Sequence, residues 1–303
     1  MRILVLGAGA IGGFFGARLI ESGHVVDFLV REGSARRLRG DGLRLVCGSG
    51  DFSSKVSCVS EVDFSYDLIL LSCKAYDLDS AISAITPAVG EQSRVLPLLN
   101  GLRHLEPLDA AFGRGNVLGG FAHISVTLRA DGVIEQFGDM ARLVYGPRGT
   151  SDVPAAIAEA LQSMRADVIP TPAILSLMWQ KFALIASLAG ATCLCRASVG
   201  DILSTTDGRE LIERLYRECC ATSEASGHAL TDQMQEEALA ALTTRTPLKA
   251  SMLRDIERGH RSEGEHIVGD MLRRANTFKI DTPILLAAAT HLRIYDRAVQ
   301  AHS

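Results

Sequence analysis

The first thirty positions alternate between apolar runs and spaced apolar residues in a way that names their elements. Ile3–Leu6 is a short, branched, wholly apolar run, the pattern of a strand buried on both faces. Next come Ile11, Phe14, Phe15, Arg18 and Leu19 at helical spacing, with Gly23 placed to end that helix and residues 25–30 reading as a second strand. The rhythm repeats, with a buried strand over 66–72, a helix over 78–85 and a strand over 94–99 that runs into Asn100-Gly101. Further strands are predicted over 115–119 and 133–145, the last antiparallel. Pro170 and Pro172 then interrupt the chain, since proline and the residue before it both resist helix. Beyond them the spacing predicts helices over 173–197, 205–227, 231–244, 253–277 and 283–300, with 191–197 as a candidate interruption. The expected class is therefore α/β: a Rossmann-type, doubly wound N-terminal domain over 1–168, then an all-helical domain over 173–303 for substrate and dimerisation. A cleft between the two is the expected substrate site.

Between the first strand and its helix lies GAGAIGG, with glycines at the first, third and sixth positions. In a βαβ unit Gly7 allows the tight turn, Gly9 lets a pyrophosphate approach the backbone, and Gly12 lets helix and strand pack closely. The phosphates would sit at the helix N-terminus, against Gly7, Gly9, Ala10, Ile11 and Gly12. Where NAD-binding units end the second strand on an acid, this one ends on Arg31, whose guanidinium suits a 2′-phosphate. Glu32 follows directly and is the competing residue, suited to a ribose hydroxyl. The preferred cofactor is NADP. Lys74 and Asn100 stand at the carboxyl ends of two predicted strands, where ligands bind in open α/β sheets, so both join the cofactor-binding set.

Composition narrows the class further. The 303 residues, 47% apolar and 22% charged, suit a globular chain of two domains, and a formal charge of −4 without a basic stripe argues against nucleic acid or an anionic membrane as partner. No apolar run is expected to reach the ~20 residues that span a bilayer, and the start shows no signal-peptide pattern. Seven cysteines, among them Cys193, Cys195 and the adjacent Cys219 and Cys220, lack zinc spacing and read as reduced cytoplasmic thiols. His104, His123 and His260 form no metal-binding pattern, so no metal is expected. His291 and Tyr295 read as surface and packing residues.

Taken together these residues resemble the ketopantoate reductase (2-dehydropantoate 2-reductase) family over nearly the whole chain. The family's order is matched by Gly7, Gly9 and Gly12, Arg31, Lys74, Asn100-Gly101, Trp179-Gln180-Lys181, Ser251 and Glu263. The resemblance implies NADPH-dependent reduction of a 2-oxo acid to a 2-hydroxy acid, with Lys181 as proton donor, in the class of pantothenate biosynthesis. It gives Glu263 the orientation of that lysine or of the nascent hydroxyl, Ser251 the substrate carboxylate, and Asn100 a bridge between cofactor and substrate. One departure stands out: where the family carries asparagines four and eight residues after the lysine, this chain has Ile185 and Ala189. Losing two amides should change which substrate fits, with Ser187 and Thr192 as candidate replacement donors. Two other readings compete, a dehydrogenase oxidising a hydroxy acid or amino acid derivative and a non-catalytic NADP sensor. A small-molecule 2-oxo acid and a second copy of the chain are the expected partners.

Overall fold

The computed structural model describes residues 1–150 and 152–301, which divide into two compact units. The first holds Met1–Leu99 and His104–Leu175; the second holds Asn100–Arg103 and Ser176–Ser303. The sequence places the boundary between 168 and 173 in one step, whereas the backbone contributes four residues, Asn100–Arg103, to the helical unit well before that boundary.

In the first unit the apolar runs become strands β1 (Ile3–Leu6) and β2 (Val26–Leu29), with helix α1 (Ala10–Glu21) between them. Residues 32–65, for which the pattern predicts nothing, hold helix α2 (Glu32–Asp41) and strands β3 (Leu43–Val46), β4 (Phe52–Ser54) and β5 (Ser57–Val59). Strand β6 (Leu68–Leu71), helix α3 (Leu78–Ile85), strand β7 (Arg94–Pro97) and helix α4 (Leu105–Phe112) follow. A parallel sheet forms in the order β5-β2-β1-β6-β7, with Ile3 opposite both Val26 and Leu68. Two of its three inner strands, β1 and β6, are buried at every position, as their unbroken apolar runs require.

Of the predicted strand over 115–119 only Val117 bridges β7, at Val95, and the strand proper, β8, is Gly119–Leu128. It pairs antiparallel with β9 (Val133–Gly146), as expected for that strand. β9 also runs parallel to β3 and, after α5 (Ala155–Gln162), to β10 (Asp167–Pro170), making a second, mixed sheet ordered β10-β9-β3-β4. Helix α1 lies between the two sheets and is buried all round from Gly12 to Leu19. At Gly16 a β-carbon would come within 2.5 Å of the Phe28 ring on β2, and at Gly13 it would collide with Ile134 on β9. Glycine on both faces is what lets one helix seat against two sheets.

The second unit is helical: α6 (Ile174–Cys195), α7 (Val199–Ile202), α8 (Gly208–Ala225), α9 (Asp232–Thr243), α10 (Ser251–Glu257), α11 (Gly264–Thr277) and α12 (Pro283–Ala301). α6 shows no interruption at residue 191; it continues to Cys195 and ends where Arg196 takes a φ of 53°. At Gly190 a β-carbon would lie 2.9 Å from Leu215 on α8 and 3.6 Å from Ala288 on α12, so this glycine sets how closely three helices meet. Contrary to expectation, α6 is long and apolar enough to cross a membrane by length and composition, with a window of mean hydropathy 1.4. Within the protein 56% of that window is buried, the behaviour of a bundle's core helix.

The helix predicted over 253–277 is two helices. It breaks after Glu257, where Gly259 takes a φ of 74° and the His260 amide turns back to the Asp255 carbonyl at 2.9 Å. The loop is held by α12: the Tyr295 hydroxyl donates to the carbonyls of His260 (2.8 Å) and Ile256 (3.2 Å), and Asp296 accepts from the Ser262 amide (2.8 Å) and hydroxyl (2.7 Å). Glu263 is therefore the residue that opens α11, not a mid-helix acid.

Candidate active site

The glycine turn has the form its sequence predicts. Gly7 takes a φ of 90°, a conformation costly for any residue with a β-carbon, while its amide donates to the Leu29 carbonyl at 3.0 Å. A β-carbon on Gly12 would fall on the Ser72 hydroxyl and the Gly7 carbonyl oxygen, and 3.2 Å from Val5. Gly9 is the opposite case, with nothing within 4 Å of where its β-carbon would be. It opens α1 in extended conformation and offers no side-chain cap, so Ala10, Ile11 and Gly12 form the first turn with amides that a bound anion can use. A bare, open backbone at Gly9 backed by a closed one at Gly12 fits a dinucleotide's pyrophosphate.

Arg31 stands just past β2 and opens α2; its guanidinium is 80% exposed and touches Asp77 at 3.1 Å. Glu32 lies within α2, its carboxylate drawn along the helix to Arg36 (3.0 Å) and Arg39 (3.9 Å). The acid that competes for the ribose is thus engaged with two guanidiniums, while Arg31 reaches solvent at the strand end. Lys74, exposed, precedes the short 3₁₀ turn Ala75–Asp77 beyond β6. These residues all belong to the first unit.

Asn100, Lys181, Ile185, Ala189, Ser251 and Glu263 belong to the second. The Asn100-Gly101 turn is packed on two helices of that unit. Gly101, at a φ of 80°, would place a β-carbon 3.3 Å from the His266 carbonyl oxygen, 3.5 Å from the His266 ring and 3.7 Å from the Phe182 ring. The turn therefore packs against Phe182 of α6, the chain neighbour of Lys181, and against His266 in the first turn of α11, which Glu263 opens. The His266 ring hydrogen-bonds to the Asn100 backbone. Burial pulls His266 down to about 4, with Arg103 acting in the same direction and Asp270 and the Asn100 bond opposing, so the ring is neutral at neutral pH.

Lys181 sits on a helix whose other residues are almost all apolar, and burial pulls its ammonium from 10.5 to about 8. Ile185 and Ala189 follow it at helical spacing on the same side of α6; Ala189 is 3% exposed. The expected replacement donors are already spent. Ser187 and Thr192, both fully buried, donate their hydroxyls to the carbonyls of Ala183 (2.8 Å) and Leu188 (2.7 Å) in their own helix. Ser251 is exposed in the first turn of α10.

Sequence reasoning picked out Glu263 but passed over the rest of its polar stripe on α11, His266, Asp270 and Arg274, three or four residues apart. Asp270 is fully buried and accepts from Arg274 (2.9 Å) and Arg273 (2.6 Å). The Arg274 guanidinium lies 5.2 Å from the ring centre of Trp179, which also stacks on His228 at 5.1 Å. The signal was present in the spacing, since a buried helix face does not ordinarily carry an acid every second turn. Among the described residues no group of three His, Cys, Asp or Glu side chains could hold a metal, and all seven cysteines are free thiols.

A family model described as ketopantoate reductase PanE/ApbA matches residues 3–149, and its C-terminal counterpart matches residues 173–296. The chain is 33% identical over 300 residues to the uncharacterized oxidoreductase YkpB of Bacillus subtilis, covering 98% of this chain and 99% of that one. A solved 2-dehydropantoate 2-reductase from Methylococcus capsulatus is 28% identical, with a TM-score of 0.87 over 99% of this chain and 98% of the other. A D-mandelate dehydrogenase solved with NADH and anilino(oxo)acetate shares the fold, at 21% identity and a TM-score of 0.89 over 99% of this chain and all of that one. With both units matched by one family and a relative of common length along the whole chain, the protein belongs to the ketopantoate reductase family and is an oxidoreductase of the kind that works with a pyridine nucleotide.

Proposed function

We propose that the chain reduces a 2-oxo acid carrying an apolar tail to its 2-hydroxy acid, with NADPH. The observation that carries this reading is the Asn100-Gly101 turn seated against α6 beside Lys181 and against the start of α11 after Glu263. Asn100, Lys181 and Glu263 would supply an amide, an ammonium and a carboxylate, which is what a carbonyl gaining negative charge requires.

When bound, the reduced nicotinamide supplies hydride to the ketone carbon. Gly9, Ala10, Ile11 and Gly12 hold the pyrophosphate, Arg31 holds the 2′-phosphate, and Lys74 and Asn100 complete the cofactor's contacts. Lys181, an ammonium below pH 8, stabilises the oxygen as its charge develops and then gives it the proton from Nζ. Glu263 orients that ammonium, and Ser251 takes the substrate carboxylate. Ile185 and Ala189 present an apolar wall to the tail. Burying ketopantoate's 4-hydroxyl there without a partner would cost about 1–3 kcal/mol. Free thiols suit a reducing cytoplasm as the setting.

The test follows NADPH oxidation by absorbance across 2-oxo acids from ketopantoate to 4-methyl-2-oxopentanoate, with Lys181→Ala in parallel. Turnover of an apolar member, reduced about 10²- to 10⁴-fold in the variant, supports the reading. A loss of less than ten-fold in Lys181→Ala would remove the lysine from the chemistry.

A further inference from the structure

We infer that His266 is a positioning residue: bonded to the Asn100 backbone and packed on Gly101, it holds the Asn100 carboxamide in place for the reaction. The inference rests on the role given to Asn100 above and names the residue through which α11 controls it.

Among the described residues before Ser176, only Asn100–Arg103 group with the helical unit, and they have no helix or strand of their own there. What keeps them in place is α11. The Arg103 guanidinium donates to the Glu265 carbonyl at 3.3 Å, and Glu265 in turn is gripped by Arg293 at 2.8 Å. These contacts are exposed and so contribute little. The His266 contact is different in kind: the residue is 8% exposed, and a β-carbon on Gly101 would press on its carbonyl oxygen at 3.3 Å. A hydrogen bond buried beneath a turn restrains the turn far more than an ion pair on its rim. Asp270, one turn further along α11 and fixed by two guanidiniums, stands on the same stripe and favours a ring that donates. The ring is neutral at neutral pH, so its part is that of an uncharged hydrogen-bonding group, one that glutamine can imitate and phenylalanine cannot.

Two measurements test this on the full chain. Hydrogen–deuterium exchange over residues 99–103, without substrate, should quicken about ten-fold or more in His266→Phe and return close to the native rate in His266→Gln. Unchanged exchange in a folded His266→Phe overturns the inference. The second is a double-mutant cycle on kcat with NADPH and the best 2-oxo acid of the panel. Asn100→Ala and His266→Phe should each lower kcat, by up to about 10²-fold for a misplaced group, and the double variant should be no worse than about two-fold below Asn100→Ala alone. If the two losses multiply, His266 does not act through Asn100 and the inference fails while the site stands. If Asn100→Ala leaves turnover intact, the reading of the site fails, and the exchange rates alone decide on His266. Should His266→Phe not fold, His266→Gln decides: a kcat within about three-fold of native supports the role, and a loss as deep as that of Asn100→Ala overturns it.

Discussion

Replacing Lys181 with methionine should stabilise the protein while lowering its turnover about 10²- to 10⁴-fold. The reason lies in the fall of the lysine from 10.5 to about 8 through burial. At about 1.4 kcal/mol for each tenfold change in protonation, that fall means about 3.5 kcal/mol disfavouring the ammonium in the folded chain. Part of the side chain reaches solvent, and methionine will not pack ideally, so a gain of about 1–3 kcal/mol is expected at pH 7. The gain has a definite pH dependence. Between about 8 and 10.5 the unfolded chain holds a proton at this position that the folded chain has released, so native stability rises with pH across that window. The advantage of Lys181→Met should thus be full below pH 8 and shrink toward nothing by 10.5. Urea titrations read by tryptophan fluorescence suit this measurement, because the single tryptophan, Trp179, lies two residues from the substitution in the same helix and the same unit. A variant no more stable than the native chain at pH 7, or one whose advantage does not change with pH, would refute the idea that the ammonium is held at a cost.

Further outcomes follow from other parts of the molecule. The reductive rate should fall as pH rises through about 8, where Lys181 loses its proton, and the reverse reaction should rise over the same range; a flat profile of kcat in both directions would separate the lysine from proton transfer. Arg31→Ala should weaken NADPH by about ten-fold or more, with little change for NADH. Glu32→Gln should leave NADH nearly unaffected, because Arg36 and Arg39 already engage that carboxylate; equal affinity of the native chain for the two cofactors would contradict this pairing. Gly9→Ala should fold normally yet bind nucleotide poorly, whereas Gly12→Ala, with backbone oxygen in its way, should lose stability itself; matching melting temperatures for the two variants would count against the contrast. Ile185→Asn should raise kcat/KM for ketopantoate relative to its analogue lacking the 4-hydroxyl, and a native enzyme that already prefers ketopantoate a hundred-fold would show that another donor serves the pocket.

Much of the fold was written into local pattern. β1, α1 and β2, with the turn between them, follow from apolar runs, helical spacing and glycines whose steric reasons act within a few residues, so Gly7, Gly9 and Gly12 could be read directly. Strand β6, helix α3 and the antiparallel pairing of β9 were legible for the same reason. What escaped was decided by partners distant in the chain. β8 alternates apolar and polar residues from Ala122 to Leu128, but where it starts and how far it runs is set by its long pairing with β9. The break before Glu263 depends on Tyr295 and Asp296 of another helix, whose hydrogen bonds hold open a loop that spacing alone would continue as helix. Ser187 and Thr192 looked like donors until the fold buried them and turned their hydroxyls onto their own helix. His266 had no motif at all; only the return of Asn100-Gly101 to the helical unit gave its ring a partner. Local sterics and hydrophobic periodicity are properties of neighbouring residues and can be read along the chain. Which polar group meets which, and which is left to do chemistry, depends on contacts that exist only once the helices have packed.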